Sequence, residues 1–213
     1  MMKIGTAILH RTPIFLTLLR AGLAPVMIIN ATTSSSRIVF AVCLLTAFLS
    51  DIFDGKIARR LGIATANLRR LDSMADSIFY VAATYCVWLL YRGVITENAV
   101  ALLTLLGLEL SRYIFDIAKY KKEASYHMWS SKLWGIFLFL GFFSVLVFGA
   151  TGLCVYLAIY IGLLADIEGL AISIVLPVWK SDVPTIFHAI RFRKEEMIFN
   201  SSLDADVQVR RPT

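Results

Sequence analysis

Charge is scarce in this chain. Of its 213 residues only 17% are charged, against about a quarter in a soluble domain of similar length. With 58% hydrophobic residues and a mean hydropathy of +0.73, that shortage excludes an ordinary soluble enzyme and points to an integral membrane protein. Cysteine is equally sparse. Cys43, Cys86 and Cys154 stand singly in apolar runs, so neither a disulfide framework nor a CxxC-type metal site is expected. No internal repeat, low-complexity segment or second domain is visible. Residues 1–199 therefore read as one membrane domain, with a disordered tail expected over 200–213. No small-residue cleavage region follows the first apolar run, so a cleaved leader is not expected.

What the chain does have is long apolar stretches. Six can be marked, at 14–30, 37–54, 71–91, 98–118, 132–151 and 153–179, each near the ~20 residues that cross a bilayer. The first is interrupted by Arg20 and Pro25, and the last contains Asp166 and Glu168. The expected fold is all-α and integral to the membrane, with six transmembrane helices. Orientation follows from the loops. Lys3 and Arg11 precede the first stretch; Lys56, Arg59, Arg60, Arg69 and Arg70 follow the second; Lys119, Lys121 and Lys122 follow the fourth; Lys180, Arg191, Arg193 and Lys194 follow the sixth. All of these fall on one side, which places both termini in the cytoplasm. The net charge of +6 is thereby accounted for by topology, and no nucleic-acid partner is expected. Residues 1–13 are mildly amphipathic, and residues 182–199 alternate apolar and basic groups; both flanks suit the lipid surface.

Against this background the stretch "SDIFDGKIARRLGIATANLRRLDSMADS", residues 50–77, is anomalous. It holds four aspartates beside apolar runs. On a helix turning ~100° per residue, Asp54 lies ~60° back from Asp51, Gly55 ~40° forward and Ala58 ~20° back, so all four share one face. Asp72 and Asp76 are one turn apart at the start of the next stretch and also share a face. A short connection between the two helices would gather four carboxylates near the membrane surface. Such a group is tolerable only around bound cations, and an all-oxygen donor set selects a hard ion such as Mg²⁺, Mn²⁺ or Ca²⁺. Gly55 and Ala58 leave the helix face nearly bare, and Arg59 offers a planar fork for phosphate. These features suit a diphosphate ester.

The same residues carry a resemblance. Asp51, Asp54, Gly55, Ala58, Arg59, Asp72 and Asp76 fall in register with D-x2-D-G-x2-A-R-x8-G-x3-D-x3-D, the signature of the CDP-alcohol phosphatidyltransferase family; Leu68 replaces its second glycine. The resemblance implies transfer of a phosphatidyl group from CDP-diacylglycerol to a small alcohol with release of CMP. It implies Asp51, Asp54, Asp72 and Asp76 as ligands of one or two divalent cations, Mg²⁺ or Mn²⁺, and Asp76 also as general base. Gly55, Ala58 and Arg59 would contact the nucleotide. A homodimer in a bacterial inner membrane, with its active site at the cytoplasmic face, is implied as well.

The opening "TPIFLTLLRAGLAP" is similar to the P-N-x-L-T-x-x-R start of the phosphatidylglycerophosphate synthase branch through Pro13, Leu16, Thr17 and Arg20, with Ile14 in place of asparagine. That favours glycerol 3-phosphate as acceptor, with Arg112 and Lys132 as candidate ligands for its phosphate. Inositol or inositol phosphate is the alternative acceptor. In a different class, intramembrane carboxylates also suit a cation-coupled transporter, for which Asp166 and Glu168 would be the further acidic groups.

Overall fold

The structure is a computed structural model that describes residues 2–62, 65–123, 126 and 128–209. Among these, all regular structure is helical: α1 (Met2–Thr33), α2 (Arg37–Arg60), α3 (Ala66–Leu90), the short α4 (Arg92–Glu97), α5 (Ala99–Tyr120), α6 (Trp129–Phe143), α7 (Leu153–Val175) and α8 (Ile186–Val209), with a π-helical turn at Ser144–Phe148. Among the described residues, five segments are long and apolar enough to cross a membrane: Thr12–Thr33, Arg37–Ile57, Arg70–Leu90, Trp129–Phe148 and Leu153–Val175. The stretch expected at 98–118 is helical, as α5, but it is not among the five. Glu109, Arg112, Asp116 and Lys119 lie along it. The N-terminal flank is continuous with the first span, because α1 begins at Met2.

The chain divides into two compact units, Met1–Asn98 with Leu138–Tyr156, and Ala99–Phe137 with Leu157–Thr213. In the first, α1 packs against both α2 and α3. The turn between α1 and α2 is closed by Asn30, a buried side chain on the last turns of α1. Its Nδ2 donates to the Ser36 carbonyl at 3.0 Å, while its Oδ1 accepts from the Ser36 amide at 3.0 Å and the Ser34 hydroxyl at 2.9 Å. These bonds satisfy backbone groups that a helix end leaves orphaned. They also fix the register of the hairpin. Arg20 lies thirteen residues before Thr33 and Ser50 thirteen residues after Arg37, so each is ~20 Å from the turn at 1.5 Å per residue.

Burial follows helical spacing. On α1 the inward residues are Thr17, Arg20, Ala24, Met27 and Ala31; on α2, Phe40, Leu44, Ala47, Ser50 and Asp54; on α3, Ala75, Phe79, Ala82, Ala83 and Cys86. Small residues recur on these faces and let the helix backbones approach, as helix pairs in lipid require. The opposite faces carry exposed apolar residues such as Leu18, Ile29, Ile38, Leu45 and Val81, which suit a hydrocarbon solvent. Aromatic stacking joins the end of α6 to this unit, with ring centroids 4.4 Å apart for Phe48 and Phe139 and 5.8 Å for Tyr80 and Phe142.

The second unit has its own core of Met128, Ile172, Leu176, Val183 and Ala189. Lys119 Nζ donates to the carbonyl oxygens of Ser173 at 2.7 Å and Leu176 at 2.8 Å, a cation at the carbonyl end of α7 where the helix dipole favours it. Glu168 ties three elements together. It accepts from the Ser130 hydroxyl at 2.5 Å and from the Ile186 amide at 3.2 Å, the first residue of α8.

Candidate active site

The site is built where the middle of α1 meets the C-terminal end of α2 and the first turns of α3 inside the first unit. α2 ends at Arg60, and Thr65 starts α3 as an N-cap, its hydroxyl oxygen accepting from the Leu68 amide at 3.2 Å. Capping by threonine fixes where α3 begins. It therefore sets the phase that turns Asp72 and Asp76 toward α1. Leu68, at the position of the family's second glycine, thus lies in the first turn of α3, with its side chain half-buried.

Arg20 stands at the centre of the carboxylates. Its side chain is only 1% exposed. Nη2 donates to Asp54 Oδ2 at 2.6 Å. Nη1 donates to Asp72 Oδ1 at 3.1 Å and to Asp76 Oδ1, and lies 3.4 Å from Asp51 Oδ1. Nε points to the Ser50 hydroxyl at 3.5 Å. Exposure rises outward through the group: Asp54 is 4% exposed, Asp72 30% and Asp51 49%. The cluster therefore has a closed end at Asp54 and an open side at Asp51.

All four expected carboxylates are brought together. Asp51, Asp72 and Asp76 each offer an oxygen within 4.8 Å of the others, a separation at which three donors can share one ion of Mg²⁺ or Ca²⁺ size. The second oxygen of Asp54, Oδ1, is buried and has no hydrogen-bond partner, the costly state of a polar atom that a cation would relieve. One guanidinium faces four carboxylates, so these five side chains together carry excess negative charge. Donor chemistry, spacing and charge all fit a divalent cation.

The remaining candidates are placed as follows. Gly55 lies on α2, half-buried, one residue beyond Asp54. The backbone of Ala58 and Arg59 continues α2, but their side chains lie outside the described residues. Arg112 and Lys132 belong to the second unit. There Arg112 Nη1 lies 3.1 Å from Oδ1 of the buried Asp166, an ion pair without hydrogen-bond alignment. Gly169 makes room for it, since a Cβ there would sit 2.9 Å from Arg112 Nη1. Lys132 is exposed, with Nζ 4.4 Å from the centroid of the Trp129 ring, a cation–π distance.

A model of the family described as CDP-alcohol phosphatidyltransferase matches residues 10–179. The chain belongs to the CDP-alcohol phosphatidyltransferase family. The match takes in α1 from His10 onward, with Arg20, the four aspartates and both candidate acceptor ligands; α8 lies beyond it. Searches of curated proteins and of solved structures return no match. Membership of the family implies an integral membrane transferase of lipid biosynthesis, moving a phosphatidyl group from a CDP-alcohol to an alcohol acceptor. The family is generally divalent-cation dependent, and the aspartate cluster is suited to such an ion.

Arg20 is the member of the site that sequence reading missed. In sequence it was an interruption of an apolar stretch and a match to the P-N-x-L-T-x-x-R opening, and neither reading placed it among the carboxylates. The available signal was its spacing: Thr17, Arg20, Ala24, Met27 and Ala31 recur at three and four residues, which places the arginine on the inward face and not toward lipid.

Proposed function

We propose that this protein transfers the phosphatidyl group of CDP-diacylglycerol to glycerol 3-phosphate and releases CMP. The observation that carries the reading is the convergence of Asp51, Asp72 and Asp76 on one point beside the buried Asp54. Asp51, Asp54, Asp72 and Asp76 hold the divalent cation, Mg²⁺ or Mn²⁺. When bound, that cation supplies positive charge against the diphosphate and the departing CMP oxygen. Asp76 takes the proton of the acceptor hydroxyl. The hydroxyl oxygen bonds to the phosphorus of the phosphatidyl group as the bond from that phosphorus to the CMP oxygen breaks, and the electron pair leaves with CMP. Gly55, Ala58 and Arg59 receive the nucleotide. Arg112 and Lys132 supply positive charge for the acceptor phosphate.

Topology supports this assignment of substrates. With α5 as a sixth span, the basic loops lie on one side of the membrane and both termini are cytoplasmic. The carboxylates then sit at the cytoplasmic face, where acyl chains remain in lipid and a water-soluble acceptor enters from solution. In a bacterial inner membrane that is the side on which soluble headgroups are made. Transport is not favoured, because Glu168 is bonded to Ser130 and Ile186 and Asp166 is paired with Arg112.

The test is an acceptor panel. Purified protein is supplied with CDP-diacylglycerol, Mg²⁺ or Mn²⁺, and glycerol 3-phosphate, inositol, inositol phosphate, serine or glycerol, and lipid products are identified by mass. Phosphatidylglycerophosphate is the expected product. An inositol lipid would replace the acceptor assignment while leaving the transfer chemistry standing, and no new lipid with any acceptor would remove the reading altogether.

A further inference from the structure

The carboxylate cluster already contains a cation of its own. A single nitrogen, Arg20 Nη1, reaches Asp51, Asp72 and Asp76, the same three residues whose oxygens lie within 4.8 Å of one another. Three oxygens so spaced leave room at their centre for one cation. A guanidinium N–H needs ~2.7–3.2 Å to its acceptor, and a divalent ion needs ~2.0–2.6 Å to its oxygens, so the two exclude each other from that point. We propose that Arg20 is a resident counter-cation of the site, and that a divalent ion binds only as Nη1 withdraws. The inference rests on the reading of the cluster as a divalent-cation site and adds what controls its occupancy.

Three features support displacement over a merely structural bridge. Nη1 sits among the more exposed carboxylates, on the open side that an ion would reach, while Nη2 is held at 2.6 Å by the buried Asp54. Withdrawal of Nη1 therefore leaves the arginine charge paired. Next, one guanidinium carries a single positive charge against four carboxylates, so a doubly charged ion compensates the group better at the same point. Finally, Asp54 Oδ1 remains buried without a partner, so Arg20 does not exhaust the donors available. If the arginine-filled state dominates without metal, apparent metal affinity is reduced by the fraction of molecules in which the site is open. Arg20 is thus a positioning residue that holds the helices together without metal and sets the concentration at which metal is admitted.

The experiment measures Mn²⁺ binding by electron paramagnetic resonance and thermal stability of the full chain in detergent or nanodiscs, for the unaltered protein and Arg20→Met. Methionine keeps the bulk of the aliphatic stem and removes the charge. The expected result is Mn²⁺ binding at least tenfold tighter in Arg20→Met. Its Tm without metal should be lower and its Mn²⁺-induced rise larger than in the unaltered protein. A bridge serving only the fold would lower Tm without tightening Mn²⁺. Unchanged or weaker binding in the variant, with Mn²⁺ still bound by the unaltered protein, overturns the proposal and leaves the cation site standing. Absence of Mn²⁺ binding by the unaltered protein overturns both. Should Arg20→Met not fold, side-chain N–H exchange of ¹⁵N-arginine-labelled unaltered protein decides. Mg²⁺ should speed exchange of the Arg20 guanidinium protons, and exchange that Mg²⁺ leaves unchanged overturns the proposal.

Discussion

Arg20 of the first helix and Asp54 of the second meet at 2.6 Å in a place almost closed to solvent. Breaking a buried pair by removing one partner leaves the other charge without compensation, at a cost of ~3–5 kcal/mol. Arg20→Met and Asp54→Leu should each lower stability strongly. The double variant should lose less than the sum of the two, because no uncompensated charge remains from this pair. A thermal-melt double-mutant cycle checks this; additive losses would show that the two side chains do not act on each other.

The proposed function separates Asp76 from the other carboxylates by role. A base acts on the acceptor proton and contributes little to holding the donor. Asp76→Asn should lower kcat by about a hundredfold or more with donor KM within a few-fold. Loss confined to donor affinity would reassign Asp76 as a ligand alone.

Acceptor recognition is tested on Lys132, whose ammonium is exposed and not ion-paired among the contacts described. Lys132→Ala should raise the KM for a phosphate-bearing acceptor several-fold and leave the donor KM nearly unchanged. Arg112→Ala should combine a higher acceptor KM with lower stability, since it strands the buried Asp166. Equal effects of Lys132→Ala on both substrates would point to topology instead.

Leu68 and Thr65 define the start of α3. Thr65→Ala removes the N-cap and should cost about 1 kcal/mol, with a fall in kcat because the phase of Asp72 and Asp76 is loosened. Leu68→Gly removes a half-buried side chain and adds backbone freedom in the first turn. It should lower stability by roughly 1–3 kcal/mol and leave donor KM within a few-fold. A large gain in turnover from Leu68→Gly would mean that leucine obstructs the nucleotide.

The four aspartates were legible because each pair lies within one helix, where spacing dictates the face. Arg20 was not, because its partners Asp54, Asp72 and Asp76 lie 34, 52 and 56 residues away. The packing of α1 against α2 and α3, with the hairpin closed by Asn30, brings them to it. The 98–118 stretch was read as a sixth span; it is helical, as α5, but its charges at Glu109, Arg112, Asp116 and Lys119 keep it out of the five apolar segments. Hydropathy counts charges without regard to partners, whereas Arg112 is paired with Asp166 and Lys119 is bound to the end of α7. Glu168 misled for the same reason: in sequence it is an acid in an apolar run, and in the fold it is a tie between α6, α7 and α8.

The most direct measurement is CMP released from CDP-diacylglycerol in the presence of glycerol 3-phosphate, compared for the unaltered protein and for Asp51→Asn and Asp72→Asn. Each change removes one charge from the converging triad at constant size. CMP should form only with a divalent cation, stop in excess EDTA and resume when Mg²⁺ or Mn²⁺ is restored, and fall by about a hundredfold or more in each variant. CMP release that persists in EDTA, or at full rate in either variant, would contradict a metal-dependent transferase built on these aspartates.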